Sequence, residues 1–152
     1  MIGMLGHTTE AEDVGQETFV RFYKSLDRFR GESCIGTYLT RIAINLSLNE
    51  IRRRKRLRNL YFTKNENKIE NVPDTLDLKD RKETNALVQW GLRKLPPKFR
   101  SVIVLRLIDG YSTEETAKIL GLPVGTVLSR LARAQMKLKE ILTPVFKGEI
   151  SL

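Results

Sequence analysis

Helical apolar spacing in residues 1–64, the same spacing with caps and a tight turn in residues 86–152, and an acidic, apolar-poor stretch between them predict an all-α protein. The reading is two small helical domains, 1–64 and 86–152, joined by a flexible acidic linker over 65–85, with a helix-turn-helix in the second. The chain has 152 residues, which suits one medium domain or two very small ones. Lys and Arg number 27 against 18 Asp and Glu, a formal charge of +9 that favours a polyanionic partner. The charge divides as +5 over 1–64, −2 over 65–85 and +6 over 86–152. Helical units of about 60 residues bury only roughly 60% of the surface their unfolded chains expose. Each half is therefore expected to be marginal alone, with a large partner supplying stability.

In the first half, Thr9 to Glu12 fits a capping box, and Gly15, Phe19, Phe22 and Leu26 then recur at intervals of three and four, predicting a helix that ends near Phe29. Asp13, Gln16, Glu17 and Lys24 lie off that stripe with one apolar residue, Val20, among them. After the turn Arg30-Gly31-Glu32-Ser33 a second helix is predicted to run to about Lys55, with Ile35, Leu39, Ile42 and Leu46 on one face. Tyr38, Arg41, Asn45, Asn49 and Arg52 form a polar stripe that ends in the basic run Arg52-Arg53-Arg54-Lys55-Arg56 with Arg58 beyond it. Ile44, Leu48 and Ile51 make a further apolar stripe that one neighbouring helix cannot cover together with the first, so a covering helix is expected to be missing.

In the second half a helix should end before Pro96, because a residue preceding proline is pushed away from helical geometry, and Pro97 can start the next. That next helix carries Phe99, Val102, Ile103, Leu105 and Leu107, apolar on most sides, and is expected to be the domain's core before Asp109-Gly110 stops it. Ser112 to Glu115 is a second capping box opening a short helix that Gly121 ends, and a longer helix is predicted from about Pro123 to Leu142, broken at Thr143-Pro144. The two helices joined at Leu120-Gly121-Leu122-Pro123 read as a helix-turn-helix, whose second helix lies in the DNA major groove. Ala117 is small where they cross, and Val127, Leu131, Ala134 and Leu138 form the inner face of the second. Small side chains such as Gly125 and Ala132 on its outer face let that helix sit deep, with Thr126, Ser129, Arg130 and Arg133 in reach of bases or phosphates and Lys137 and Lys139 in reach of phosphates. The same spacing also fits an ordinary helical hairpin with a solvated basic face.

The basic run beyond Arg52 suits a nucleic-acid backbone, whose neutralisation releases counterions. Tyr38, Arg41 and Asn45 beside it offer the stacking and edge contacts that unpaired bases need. Catalysis is not expected: the carboxylates lie at helix starts or on solvated faces, with no histidine or cysteine partner. One cysteine, Cys34, and one histidine, His7, exclude a disulfide framework and a Cys/His zinc site; no metal or cofactor is expected, and Cys34 is expected to be an inert, half-buried side chain. No run approaches the length of a membrane span and no signal peptide is evident, so a reducing, cytoplasmic setting without membrane insertion is expected.

Taken together the halves resemble the extracytoplasmic function (ECF) sigma factors of bacterial RNA polymerase over about residues 10 to 142. The first half matches sigma region 2 through Ala11-Glu12-Asp13-Val14-Gly15-Gln16-Glu17-Thr18-Phe19, Leu26-Asp27-Arg28-Phe29-Arg30-Gly31-Glu32-Ser33, and Thr37-Tyr38-Leu39-Thr40-Arg41-Ile42-Ala43-Ile44-Asn45. The second matches region 4 through Leu95-Pro96-Pro97, Gly110-Tyr111-Ser112-Thr113-Glu114-Glu115, and Gly121-Leu122-Pro123-Val124-Gly125-Thr126-Val127. Any one string is weak; their order and spacing together are specific.

The resemblance implies that Asp13, Gln16, Glu17 and Val20 meet the polymerase clamp. It implies that Arg28, Arg30, Tyr38, Arg41, Asn45, Arg52 and Arg53 engage the −10 element, where flipped bases are captured, with Asn45 the leading base contact. It assigns Thr126, Ser129, Arg130, Arg133 and Lys137 to the −35 element, region 4 to the polymerase flap and the linker to the polymerase interior, and an anti-sigma factor is a further implied partner. The family normally has helical sequence before Ala11, so the start reads as short. Leu128 and Ala132 stand where basic or aromatic groups are common, Gln135 replaces a frequent arginine, and Asn49 replaces an acid. A stand-alone helix-turn-helix regulator and a truncated sigma remnant are the competing readings; the first would dimerise, whereas a monomer is expected here because no dimerisation segment is seen.

Overall fold

The structure, a computed structural model, describes residues 2–31, 33–64 and 81–147. Seven α-helices account for most of them, and no strand occurs among the described residues: α1 (Ile2–Leu5), α2 (Thr9–Ser25), α3 (Ile35–Lys64), α4 (Arg81–Lys94), α5 (Pro97–Ile103), α6 (Thr113–Leu120) and α7 (Val124–Phe146). A 3-10 turn, Leu26–Arg28, follows α2, and a π turn, Val104–Ile108, follows α5. Of the predicted linker, 65–80 lies outside the described residues, and 81–85 forms the first turn of α4.

The cap of α2 is one residue earlier than expected. Thr8 is the N-cap, its Oγ1 accepting from the Ala11 N–H at 3.3 Å, with Glu10 and Glu12 in the first turn where the helix dipole favours acids. The buried face is also turned relative to the predicted stripe: Ala11, Val14 and Thr18 are buried, while Phe19 is 65% exposed. Thr18 can lie inward because its hydroxyl donates to the Val14 carbonyl at 2.7 Å, so a polar side chain occupies an apolar position. Ser47 on α3 does the same, donating to Ala43 at 2.8 Å.

Helix α3 runs nine residues past its predicted end. Its stripe of Ile44, Leu48 and Ile51, expected to need a further helix, meets groups from both halves: Ile44 is buried in one apolar cluster, and the partly buried Leu48 and Ile51 pack against it. That cluster draws Met4 and Leu5 from α1, Ala11 and Val14 from α2, and Leu92, Phe99, Ile103 and Leu105 from the second half. The covering groups are distant in sequence, which is why the periodicity of α3 could not show them. Arg100 fastens the halves. Only 7% exposed, it donates to the carbonyls of Met4 (2.7 Å), Arg93 (2.7 Å) and Leu95 (3.1 Å). Thr40 Oγ1 and Tyr111 Oη, 2.7 Å apart, add a second link between α3 and the loop before α6.

Pro97 begins α5 as expected, and Phe99, Val102, Ile103 and Leu105 are buried. Leu107, expected in the core, is 53% exposed because the π turn closes from the Asp109 N–H to the Val104 carbonyl (2.8 Å), advancing the chain one residue further before it turns. On α4, Gly91 admits α7 at close quarters; a Cβ there would fall 2.8 Å from Leu142 Cδ2. Pro144 does not break α7. It sits two residues from the helix end, where only the bond to the carbonyl of the exposed Glu140 is lost, and water can replace it.

Candidate nucleic-acid and polymerase interfaces

The turn from α2 into α3 is shaped by three aromatic rings. Phe29 and Tyr38 have centroids 5.2 Å apart, and Phe22 stands 6.4 Å from Phe29 and 6.1 Å from Tyr38. The 3-10 turn is thereby held against the start of α3, and an open cavity of about 190 Å³ forms between Arg28, Phe29, Arg30, Ser33, Tyr38 and Arg41. Two aromatic faces among three guanidinium groups suit a stacked, unpaired base beside its phosphates. Four predicted −10 residues, Arg28, Arg30, Tyr38 and Arg41, are brought together here. Phe29 was missed as part of this set; its place between two arginines was the available signal.

Asn45 is exposed one turn beyond Arg41 and stands outside the cavity wall. Arg52 donates to the Asn49 side-chain oxygen Oδ1 (3.1 Å), so the amide at 49 orients a cation on the same stripe. Arg53 is engaged differently, its Nε and NH2 on the two oxygens of Glu50 at 2.8 and 2.9 Å. Arg54 turns inward to Glu50 (3.0 Å) and Glu10 (3.0 Å). The basic run thus splits between faces of α3 and is not one positive end.

Cys34 is exposed, not half-buried, and precedes the first turn of α3 with Sγ 3.0 Å from Thr37 Oγ1. The Thr37 hydroxyl and N–H hold its thiol below the ordinary range, since both favour the thiolate. Among the described residues no group of three or more His, Cys, Asp or Glu is arranged to hold a metal ion.

On the outer face of α2, Asp13, Gln16, Glu17 and Val20 are all exposed, and Phe19 and Tyr23 (77% exposed) flank them. A pair of exposed aromatics beside a polar strip is the composition of a protein contact rather than of a solvated face. Periodicity had assigned Phe19 to the core and so missed this extension. Glu17 is partly engaged by Arg21, at 2.7 Å.

The helix-turn-helix is built as its sequence suggests. Ser112 accepts from the Glu115 N–H (3.1 Å) and Glu115 accepts from the Ser112 N–H (2.7 Å), a closed capping box. Gly121 ends α6 at φ 64°, a left-handed conformation that only glycine adopts without strain, and the Leu122 N–H returns to the Ala117 carbonyl (2.9 Å). Val102, Ala117 and Val127 form the core beneath, which fixes the angle of α7. Ser129, Ala132, Arg133 and Lys137 are exposed along α7, with Thr126 and Arg130 half-buried beside them. Ser129 Oγ also donates back to the Thr126 carbonyl at 3.1 Å, so its oxygen lone pairs stay available as acceptors. Lys118 of α6 joins Ser33, Thr37, Tyr38 and Arg41 in lining a second cavity of about 250 Å³.

These features define a helical protein with a helix-turn-helix and two exposed basic faces, one on the α2–α3 turn and one on α7. Residues 1–57 match the family model for sigma-70 region 2, and residues 91–138 match that for sigma-70 region 4. The chain is 34% identical over 148 residues to the RNA polymerase sigma-H factor of Pseudomonas aeruginosa, covering 91% of this chain and 76% of that one. It is 37% identical over 147 residues to the ECF sigma factor SigW of Bacillus subtilis, covering 90% and 78%. Among solved structures it superposes on the sigma factor RpoE of Bartonella quintana in complex with the anti-sigma factor NepR, with a TM-score of 0.70, 26% identity and coverage of 93% and 86%. A second is CnrH in complex with the cytosolic domain of CnrY, at 0.65, 30% identity and coverage of 93% and 77%. The chain belongs to the ECF sigma factors of the sigma-70 family.

Proposed function

We propose that this sigma factor binds core RNA polymerase and directs it to a two-element promoter, with region 2 in residues 1–64, a linker over 65–85 and region 4 in residues 86–152. The observation that carries this reading is the Arg28–Phe29–Tyr38–Arg41 cavity, whose aromatic and guanidinium lining suits a base out of its stack. In this scheme Asp13, Gln16, Glu17 and Val20 meet the polymerase clamp. Arg28, Arg30, Tyr38, Arg41, Asn45 and Arg52 take the −10 element, with Arg53 joining only by leaving Glu50. Thr126, Ser129, Arg130, Arg133 and Lys137 of α7 take the −35 element, and region 4 rests on the flap. The protein is a monomer acting in the cytoplasm and performs no chemistry itself. An anti-sigma factor is a natural further partner, since the superposed sigma factor RpoE of Bartonella quintana was solved with one.

The test is to reconstitute the chain with core polymerase and follow promoter binding and strand opening separately. Asn45→Ala should slow opening by roughly fivefold to a hundredfold, the range of one base contact worth about 1–3 kcal/mol, with initial binding nearly unchanged. Arg133→Ala should weaken initial binding by a comparable factor. Equal loss of both steps in each variant would overturn the division of labour, and no binding of polymerase would overturn the function.

A further inference from the structure

The stripe of α3 that begins as Ile44, Leu48 and Ile51 continues at helical spacing as Lys55 and Arg58, with Arg54 at its edge. Where the stripe turns basic it meets the α4–α5 corner, and a cleft of about 620 Å³ opens between them. Arg93, Lys94 and Arg100 supply the opposite wall, while Pro96 and Pro97 present the apolar floor, with the buried Met4 and Leu5 beneath it. No carboxylate is among the described residues that line it. Arg54 is already paired with Glu10 and Glu50, and Arg100 spends its terminal nitrogens on backbone carbonyls. The guanidinium of Arg100 is pushed down to about 10, first by burial and then by the charges of Arg93 and Arg54, consistent with strong positive potential at this corner.

This face of α3 is turned roughly a third of a revolution from the stripe of Tyr38, Arg41, Asn45 and Arg52, at 100° per residue. Tyr38, Arg41, Asn45 and Arg52 are not among the residues that line the cleft. Its volume is in the range of small-molecule sites, about 300–1,000 Å³, rather than that of an extended groove. Concentrated cations above an apolar floor match a compact, multiply charged anion carrying a flat apolar group.

We propose that the cleft binds a small oligophosphate, its phosphates held by Lys55, Arg58 and Lys94, at the junction of the region 2 and region 4 halves. Because both halves contribute to the wall, an occupant links them. The titration uses the chain alone, without polymerase or promoter, so its outcome is separate from that of the transcriptional function.

The experiment is calorimetric titration of the full chain at near-physiological salt with two probes, inorganic tripolyphosphate and a purine nucleoside triphosphate. Both should bind, and the double variant Lys55→Gln/Lys94→Gln should weaken binding by about tenfold or more. Arg52→Gln/Arg56→Gln removes the same charge from the outer face of α3 and should change affinity by no more than about twofold. These four side chains are exposed, so folding is preserved. Tighter binding of the nucleotide would identify the base as seated on the apolar floor, and equal binding would identify the phosphates as the whole of the recognition. No binding of either probe at millimolar concentration, or equal weakening by the two double variants, would overturn the proposal, the latter by showing diffuse attraction to a basic protein.

Discussion

Cys34 shows how much one neighbour decides. A lone thiol with no second cysteine reads as inert, yet the Cys34 Sγ is exposed just before a long helix and 3.0 Å from the Thr37 hydroxyl, a setting that favours the thiolate. Thr37 is itself buried, and its side chain is the largest cause of the lowered thiol pKa. Thr37→Val keeps the shape and removes the donor. The Cys34 titration should then move up toward the ordinary value, and alkylation by iodoacetamide at neutral pH should slow; an unchanged rate-versus-pH curve would show that the backbone N–H alone sets the thiol. The same scale explains how Thr18 and Ser47 can be buried. A hydroxyl that bonds its own preceding turn is apolar to its surroundings, and composition alone does not reveal which serines and threonines do this.

Among the elements, α3 carries most of the residues proposed for the −10 element and departs furthest from its predicted bounds. Its extension to Lys64 passes through a run of like charges that should repel at i and i+4. Glu50 offsets part of this, bonded by Arg53 and Arg54 and only 13% exposed in its side chain. The arginines, with desolvation opposing them, hold its carboxyl below 4.5. A depressed carboxylate stabilises the fold above its unfolded value, and that contribution is lost as pH falls through the folded value. Glu50→Gln should therefore lower stability at pH 7 by about 1 kcal/mol, since its partners are half exposed. The difference from wild type should shrink in urea titrations at successively lower pH, as the lowered Glu50 carboxyl takes up its proton and both side chains become neutral. Caps, turns and the helix-turn-helix were legible because their signals are local: Ser112 with Glu115, Gly121, Pro97. The orientation of α2 and the persistence of α7 through Pro144 were not, because a neighbouring helix and solvent access decide them.

The whole molecule resolves the problem each half has alone. Two units of this size were expected to be marginal, and the apolar stripe on α3 was expected to lack cover; in the structure each half covers the other. Met4, Ile44, Leu92, Leu105, Ile119 and Ala134 come from six different helices or their adjoining turns and belong to one buried cluster, and Arg100 ties α5 to the carbonyl of Met4. None of this was readable from periodicity, which shows that a stripe is apolar but not what meets it. A shared core makes a specific thermodynamic statement: the two halves should unfold together. Urea unfolding followed by far-UV circular dichroism and by the fluorescence of Trp90, the single tryptophan, should give coincident transitions. Ile44→Ala in the first half and Leu105→Ala in the second should each lower that common stability by about 2–5 kcal/mol. Two separated transitions, with Ile44→Ala moving only the one that Trp90 does not report, would instead mean that the halves fold independently and that the interface contributes little. The joint transition matters for function, because a polymerase or DNA surface that drew the halves apart would have to replace the apolar contacts of Ile44, Leu48 and Ile51 with its own.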